Sequence, residues 1–420
     1  IAVPADRESL VVSVYIPAGD AGFGDPSLFV YTDTSLATLM CSGSAAGADR
    51  CRFALPPAGT YAVRLQANTA FAGYAVRATS YAPFMAQSVT AGSSRTCALT
   101  MAGAAYCWGW PPLGNGMATL RLVPVPVATR LTFASLATGG STCGLTAAGA
   151  AYCWGDNTYG EVGDGTGTSR LTPTAVAGAL SFASISAGGQ QACGVTTGSA
   201  AYCWGANFDG QLGDGTTTST LAPVPVAGGL AFASISFGTY TTCGLLTSGA
   251  AYCWGWNGGG SDLTPVPVAG GLTFASLNAG LGGHFCGLTA GGAAYCWGNN
   301  GWGQLGDGTT TSRVTPVPVA GGLTFASLTT GYFHTCGLTA GGVASCWGFG
   351  SLLGTGLSTD SHVPVAVAGG LTFVSISAGS FHTCGRITSG AVYCWGDGGN
   401  GQLGNGTTTS RPTPWPVLAP

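Results

Sequence analysis

The chain has no lysine. All 12 basic residues are arginine, and only Glu8 and Glu161 of the 15 acidic residues are glutamate. Charged residues make up 6% of the 420 positions, against about a quarter in ordinary globular proteins. With a net charge of −3 and no basic block, the phosphate-neutralising footprint of a nucleic-acid binder is missing. No apolar run approaches the roughly 20 residues that cross a bilayer as a helix, so no membrane span is expected. Neither GxSxG nor HExxH occurs, and no nucleophile, base and orienting group can be nominated together. An enzyme is therefore not expected. Four histidines and the lack of any C-x-x-C argue against zinc, so neither metal nor cofactor is expected. Ile1 is preceded by neither methionine nor a signal peptide, as in a processed or trimmed chain. The shortage of charge has two readings: GC-rich codon usage, or a surface meant to be covered by neighbours or glycans.

What the chain does have is 73 glycines, 22 prolines and 16 cysteines. The cysteines fall into eight pairs, each ten positions apart: Cys41/Cys51, Cys97/Cys107, Cys143/Cys153, Cys193/Cys203, Cys243/Cys253, Cys286/Cys296, Cys336/Cys346 and Cys384/Cys394. Such even spacing reads as disulfides formed in an oxidising compartment. The last seven pairs sit in copies of one unit, for example CGLTAAGAAYCWG at 143–155. The units start at 97, 143, 193, 243, 286, 336 and 384, with steps of 46, 50, 50, 43, 50 and 48. Periods of this size mark propellers or solenoids, and the period-2 alternation selects strands.

In the third unit, 182–188, 192–196 and 200–205 read as three strands. The stretch 207–219 is a glycine-rich crossover, and Pro223-Val-Pro-Val-Ala227 is a fourth strand whose prolines suit a sheet edge. Four strands match a propeller blade. A turn centred five residues after the first cysteine sets the second directly opposite it, near disulfide distance. The tryptophan that follows points to the other sheet face, between neighbouring blades. A late strand at 413–418 is expected to join the first unit's sheet and fasten a closed ring. The predicted fold is all-β: a small β-sandwich over 1–83, cross-linked by Cys41–Cys51, and a seven-bladed β-propeller over 84–420.

The units resemble the repeats of the regulator of chromosome condensation family. The resemblance rests on Gly331-Tyr-Phe-His-Thr-Cys-Gly-Leu338 and Gly379-Ser-Phe-His-Thr-Cys384. It rests also on YCWG in six units, with Ser345-Cys-Trp-Gly348 in another, and on GQLGDGT at 210–216 and 303–309, varied to GQLGNGT at 401–407. It implies a seven-bladed propeller. Nuclear members of that family exchange nucleotide on a small GTPase and touch chromatin, a role that this lysine-free, cysteine-rich composition argues against. The chain looks closer to secreted bacterial members, among them a protein inhibitor of β-lactamases. Leu55-Pro-Pro-Ala-Gly-Thr-Tyr-Ala-Val-Arg64 resembles the pre-peptidase C-terminal β-sandwich of secreted peptidases.

Four sets of residues are candidates for function. Directly after the Trp-Gly signature, six units carry an aromatic: Trp110, Tyr159, Phe208, Trp256, Trp302 and Phe349. On a ring these would share one face, suited to anchoring a protein or stacking on sugar, or each would pack on its own blade. Two positions before each first cysteine stand Arg95, Ser141, Gln191, Thr241, His284, His334 and His382. The three histidines suit either a metal or anion site or hydrogen bonds to a neighbouring blade's backbone. Asp164, Asp214 and Asp307, with Asn405 in their place in the last unit, read as turns and make thin calcium ligands. Thr216–Thr218, Thr309–Thr311 and Thr407–Thr409 are polar loop tips open to O-glycans, and Asn405-Gly-Thr407 is an N-glycosylation sequon. Units one, four and six depart from the loop pattern, through loop drift or partner docking.

The expected function is that of a secreted, extracellular or cell-surface protein without catalysis. It would assemble with copies of itself, or bind a foreign protein or glycan through the aromatic face.

Overall fold

The computed structural model describes residues 83–420 except 257–258, together with the backbone of seven strands between Ala2 and Tyr81. Contacts part the chain after Phe84. In the first unit, Ala2–Val3, Gly59–Gln66, Ser27–Thr32 and Ser35–Ser42 pair in that order in one sheet. Ala48–Ala54, Ser9–Tyr15 and Ala75–Tyr81 form a second. Cys41 and Cys51 stand on strands of different sheets, and the bond expected between them lies outside the described residues.

The second unit is seven four-stranded antiparallel sheets, each built from one continuous stretch of chain. In blade 3 the strands run Phe182–Ala187, Gln191–Thr196, Ala201–Gly205 and Thr220–Pro225, paired in that order. Three of them follow the sequence reading closely. The proline-bearing fourth is the edge strand, as expected, but starts at Thr220. Its prolines fall where no ladder partner needs an N–H.

The two cysteines of every blade face each other across the second and third strands, as Cys193 opposite Cys203. All seven bonds expected in the ring are formed: Cys97–Cys107, Cys143–Cys153, Cys193–Cys203, Cys243–Cys253, Cys286–Cys296, Cys336–Cys346 and Cys384–Cys394. Their Cα atoms stand 4.0–4.1 Å apart. Closing so short a loop in the unfolded chain is worth about 2.5–3 kcal/mol per bond. The tryptophan after the second cysteine turns to the opposite face, as alternation requires. It lands on the disulfide of the preceding blade. Trp154 packs with Cys97 and Cys107, Trp204 with Cys143 and Cys153, and Trp254 with Cys193 and Cys203. Trp347 likewise packs with Cys286 and Cys296, and Trp395 with Cys336 and Cys346. The blade-to-blade core is therefore a repeated sandwich of disulfide and indole.

The first strands line a central cavity of about 240 Å³, bordered by residues such as Thr90, Ala137, Ser186, Ser236, Ala279 and Thr330. A glycine ends most of these strands because neighbouring blades touch there. A Cβ at Gly379 would strike the carbonyl of Gly92, and one at Gly331 would meet that of Gly379.

The ring closes differently from the expectation. Arg411–Pro416 pairs with Val392–Gly396 inside blade 7 and contributes no strand to blade 1. Blade 1 already owns four strands, from Ser88–Ala91 to Arg121–Pro126, so no edge is left for the late strand to complete. The lead-in to blade 1 closes the ring instead. Met85 bridges Ala391, and Ala86 N donates to Gly390 O at 2.9 Å. Ala91 N also donates to Ser377 Oγ (3.0 Å), and Ser380 N to Gly92 O (3.1 Å).

Candidate binding face

Successive strands of a blade run in opposite directions. The turn between the first and second strands and the loop between the third and fourth therefore emerge on the same face of the ring. Glycine at the end of the third strand, with φ of 98–125° in blades 1 to 3, throws the chain into that loop. In blades 2, 3 and 5 the loop is organised by a buried asparagine. Asn207 Nδ2 donates to Thr216 O (3.0 Å) and Thr218 O (3.2 Å), while its Oδ1 accepts from Leu212 N (2.9 Å). Asn157 and Asn300 repeat this pattern. The sequence reading passed over these asparagines, although each stands two residues after the glycine of its Trp-Gly signature. They pin an apolar residue into the core and leave the preceding aromatic at the surface.

The expected six aromatics do not form one set. Trp302 meets Phe349 edge-on at 4.9 Å, and Tyr159 meets Phe208 at 5.1 Å. Trp110 and Trp256, about half exposed, join neither group. The first group is extended by three rings that the reading missed, all from the turn before the second strand. Trp302 and Phe333 lie 5.7 Å apart, Phe333 and Tyr332 4.6 Å, and Tyr332 and Phe381 5.5 Å. Trp302, Phe349, Phe333, Tyr332 and Phe381 thus make a continuous five-ring patch across blades 5, 6 and 7. Trp302 is 39% and Phe381 36% exposed. The signal lay in the Gly-Tyr-Phe-His and Gly-Ser-Phe-His stretches, which read only as repeat starts.

The clasping cysteines take no part in this face. Cys107, Cys296, Cys346 and Cys394, on the third strands of blades 1, 5, 6 and 7, are fully buried, so they hold the core and touch no partner.

The histidines do something else. His284, His334 and His382 open the second strands of blades 5, 6 and 7 and are fully buried. Their partner is a side chain of the next blade rather than its backbone. His284 Nε2 lies 2.9 Å from Thr335 Oγ1, His334 Nε2 2.8 Å from Thr383 Oγ1, and His382 Nε2 2.7 Å from Thr96 Oγ1. Thr335 and Thr96 donate their only hydroxyl protons to Gln304 O and Gln402 O, both at 2.8 Å. His284 and His382 must therefore donate from Nε2. Burial pushes His284 and His334 down to about 3 and His382 to about 4; repulsion among the three adds to this at His334, and Asp397 partly offsets it at His382. These are neutral rivets between blades.

The aspartates of the Asp-Gly turns are engaged locally. Asp164 accepts from Thr166 and pairs with Arg170, and Asp307 does the same with Thr309 and Arg313. Burial pushes both carboxyls up, but these hydrogen bonds outweigh it and hold them below their ordinary values. Among the described residues no group of three His, Cys, Asp or Glu side chains is placed to hold a metal. No helix there is long and apolar enough to cross a membrane. Asn405 is fully buried, so its sequon is closed to a glycan in the folded chain, whereas Thr217, Thr310 and Thr408 are exposed.

Fold and repeat signature together define a disulfide-clasped seven-bladed propeller of regulator of chromosome condensation (RCC1) repeats. Models of that repeat match residues 148–195, 200–245, 291–338 and 389–420, and in a second form 232–260 and 373–402. No curated protein sequence matches the chain. Among solved structures, it is similar to Prp20p of Saccharomyces cerevisiae, described with its binding to Gsp1p and histones. That match has 20% identity over 70% of this chain and 80% of the other, with a TM-score of 0.62. Human WBSCR16 is 17% identical over 87% and 100%, with a TM-score of 0.65. The ectodomain of the receptor kinase CR4 of Physcomitrella patens is 27% identical over 74% of each chain, with a TM-score of 0.50. At these identities the first two likenesses concern the fold alone.

Proposed function

We propose that this chain is a secreted, non-catalytic binding scaffold that holds a protein or glycan partner against the aromatic patch on blades 5 to 7. In this reading residues 1–83 are a β-sandwich appended to the propeller at 84–420. The five-ring cluster carries the proposal: rigid aromatics, partly exposed and held in place by their neighbours, are the side chains from which binding hot spots are made. An extracellular setting is supported by seven disulfides within one ring. The likeness to a receptor-kinase ectodomain and the resemblance to secreted bacterial propellers of the β-lactamase-inhibitor type point the same way. With only 6% charged residues, the chain offers little of the charge that the histone binding described for Prp20p would draw on.

Self-assembly is the second reading. It is favoured by apolar side chains on the outer strands, where Val314 is 92% and Leu221 42% exposed. Sedimentation velocity across a hundredfold concentration range separates the two: a monomer throughout removes self-assembly. Glycan arrays and β-lactamase panels then test for a foreign partner. Trp302→Ala with Phe381→Ala should abolish any binding found, and unchanged binding by a folded double variant removes the patch as the site.

A further inference from the structure

Thirteen of the fourteen cysteines in the ring are fully buried. The exception is Cys253, which is partly exposed. The cause is a missing piece of blade 4. In the other six blades the loop before the outer strand delivers one apolar residue to the core: Leu113, Val162, Leu212, Leu305, Leu353 and Leu403, each fully buried. In blades 1, 2, 3, 5 and 6 this residue packs in the same cluster as that blade's disulfide. In blade 4 the third strand, Ala251–Trp256, is followed almost at once by the outer strand, Ser261–Pro267, and no such residue exists.

The neighbouring blade carries the marks of this gap. Elsewhere the loop leans on the next outer strand: Gly165 N donates to Leu221 O, and Gly215 N to Leu263 O. Without that cover Val314 of blade 5 is 92% exposed, against 42% for Leu221 at the equivalent position. In blades 1, 4 and 6 a threonine before the cysteine donates to the glutamine carbonyl of the preceding loop. Blade 5, which has no such carbonyl to meet, has Phe285 there, stacked 5.8 Å from Trp297. Phe285 and Trp297 shield Cys243, but Cys253 stays at the margin of their cluster.

We propose that Cys243–Cys253 is a thiol-exchange site built into an otherwise reduction-resistant ring. A thiolate of an external dithiol attacks Cys253 Sγ along the line of the S–S bond. A mixed disulfide forms at Cys253, the bond to Cys243 breaks, and its electron pair leaves on Cys243 Sγ as thiolate. The second thiol of the reagent then displaces Cys253 as thiolate and closes the reagent's own disulfide. Two electrons pass from the dithiol to the protein, and the cysteine sulfurs take up protons from solvent. Exchange needs access to sulfur: in six clasps both cysteines are fully buried, whereas here Cys253 is partly exposed.

The test uses the full oxidised chain in native buffer. It is treated with dithiothreitol for graded times, trapped with iodoacetamide and mapped by peptide mass. Cys243 and Cys253 should be alkylated together, at least about tenfold faster than any other pair in the ring, because the rest must wait for local opening. In a Leu212→Ala variant, Cys193 and Cys203 should become the second pair to react. Replacing Cys243 and Cys253 with serine should remove the fast phase and leave the other six rates as they were. Simultaneous loss of all seven bonds, or any other ring pair leading, overturns the proposal.

Discussion

Lowering the pH should loosen this ring through three histidines in neighbouring blades. His284, His334 and His382 are fully buried, and each bridges to a threonine of the next blade. Once charged, each ring carries a proton on Nδ1, which has no hydrogen-bond partner at any of the three. In the folded chain burial holds them near 3, 3 and 4, whereas in the unfolded chain they titrate near 6.5. The folded values are depressed. Their contribution is therefore whole above pH 6.5, and is lost as pH falls from there towards 4 and 3, where the unfolded chain binds more protons. Each histidine adds a slope approaching about 1.4 kcal/mol per pH unit in that window, so the three together cost about 6 kcal/mol by pH 5. That rivals the whole stability of many domains. Guanidinium unfolding of the oxidised chain, followed by tryptophan fluorescence at pH 7.5, 6 and 5, measures the loss. His334→Gln, which copies the residue blade 3 uses at that position, should remove about a third of it. Parent and variant with the same pH dependence would refute the assignment of the histidines as buried neutral bridges.

Gly331→Ala should be severely destabilising, by more than about 2 kcal/mol, because its Cβ would strike the His334 ring and crowd the Gly379 carbonyl. A thermal melt close to the parent's would contradict the tight blade contact there. Asn207→Ala should cost about 2–3 kcal/mol by orphaning Leu212 N and two threonine carbonyls, while Arg170→Ala, which removes a partly exposed ion pair, should cost under about 1 kcal/mol. If chemical denaturation ranks the two the other way, the asparagine is not the organiser of the loop.

Much of the fold was legible because its rules are local. Ten-residue cysteine spacing sets Cys193 against Cys203, and strand alternation then sends Trp204 to the other face. Prolines in Thr220–Pro225 mark an edge. The closure was misjudged because nothing in Thr413–Leu418 tells which sheet it joins; that depends on blade 1 already having four strands. The aromatic face was half legible. Trp302 and Phe349 follow the Trp-Gly signature, but Phe333 and Tyr332 meet them only because two loops of different blades rise on the same side.

The sequence by itself determined the unit: four strands, one covalent clasp, one tryptophan turned to the sheet face opposite the clasp, repeated seven times. Those features follow from periods of two and ten residues within a single blade. Only the tertiary structure decided which histidine bridges which threonine, which rings make one patch and which disulfide is left open to solvent. Each of these depends on side chains brought together by ring closure, such as His284 and Thr335, 51 residues apart in the chain. The shortened loop of the fourth unit is visible in the sequence, but that it leaves Cys253 partly exposed is seen only once the blades are packed.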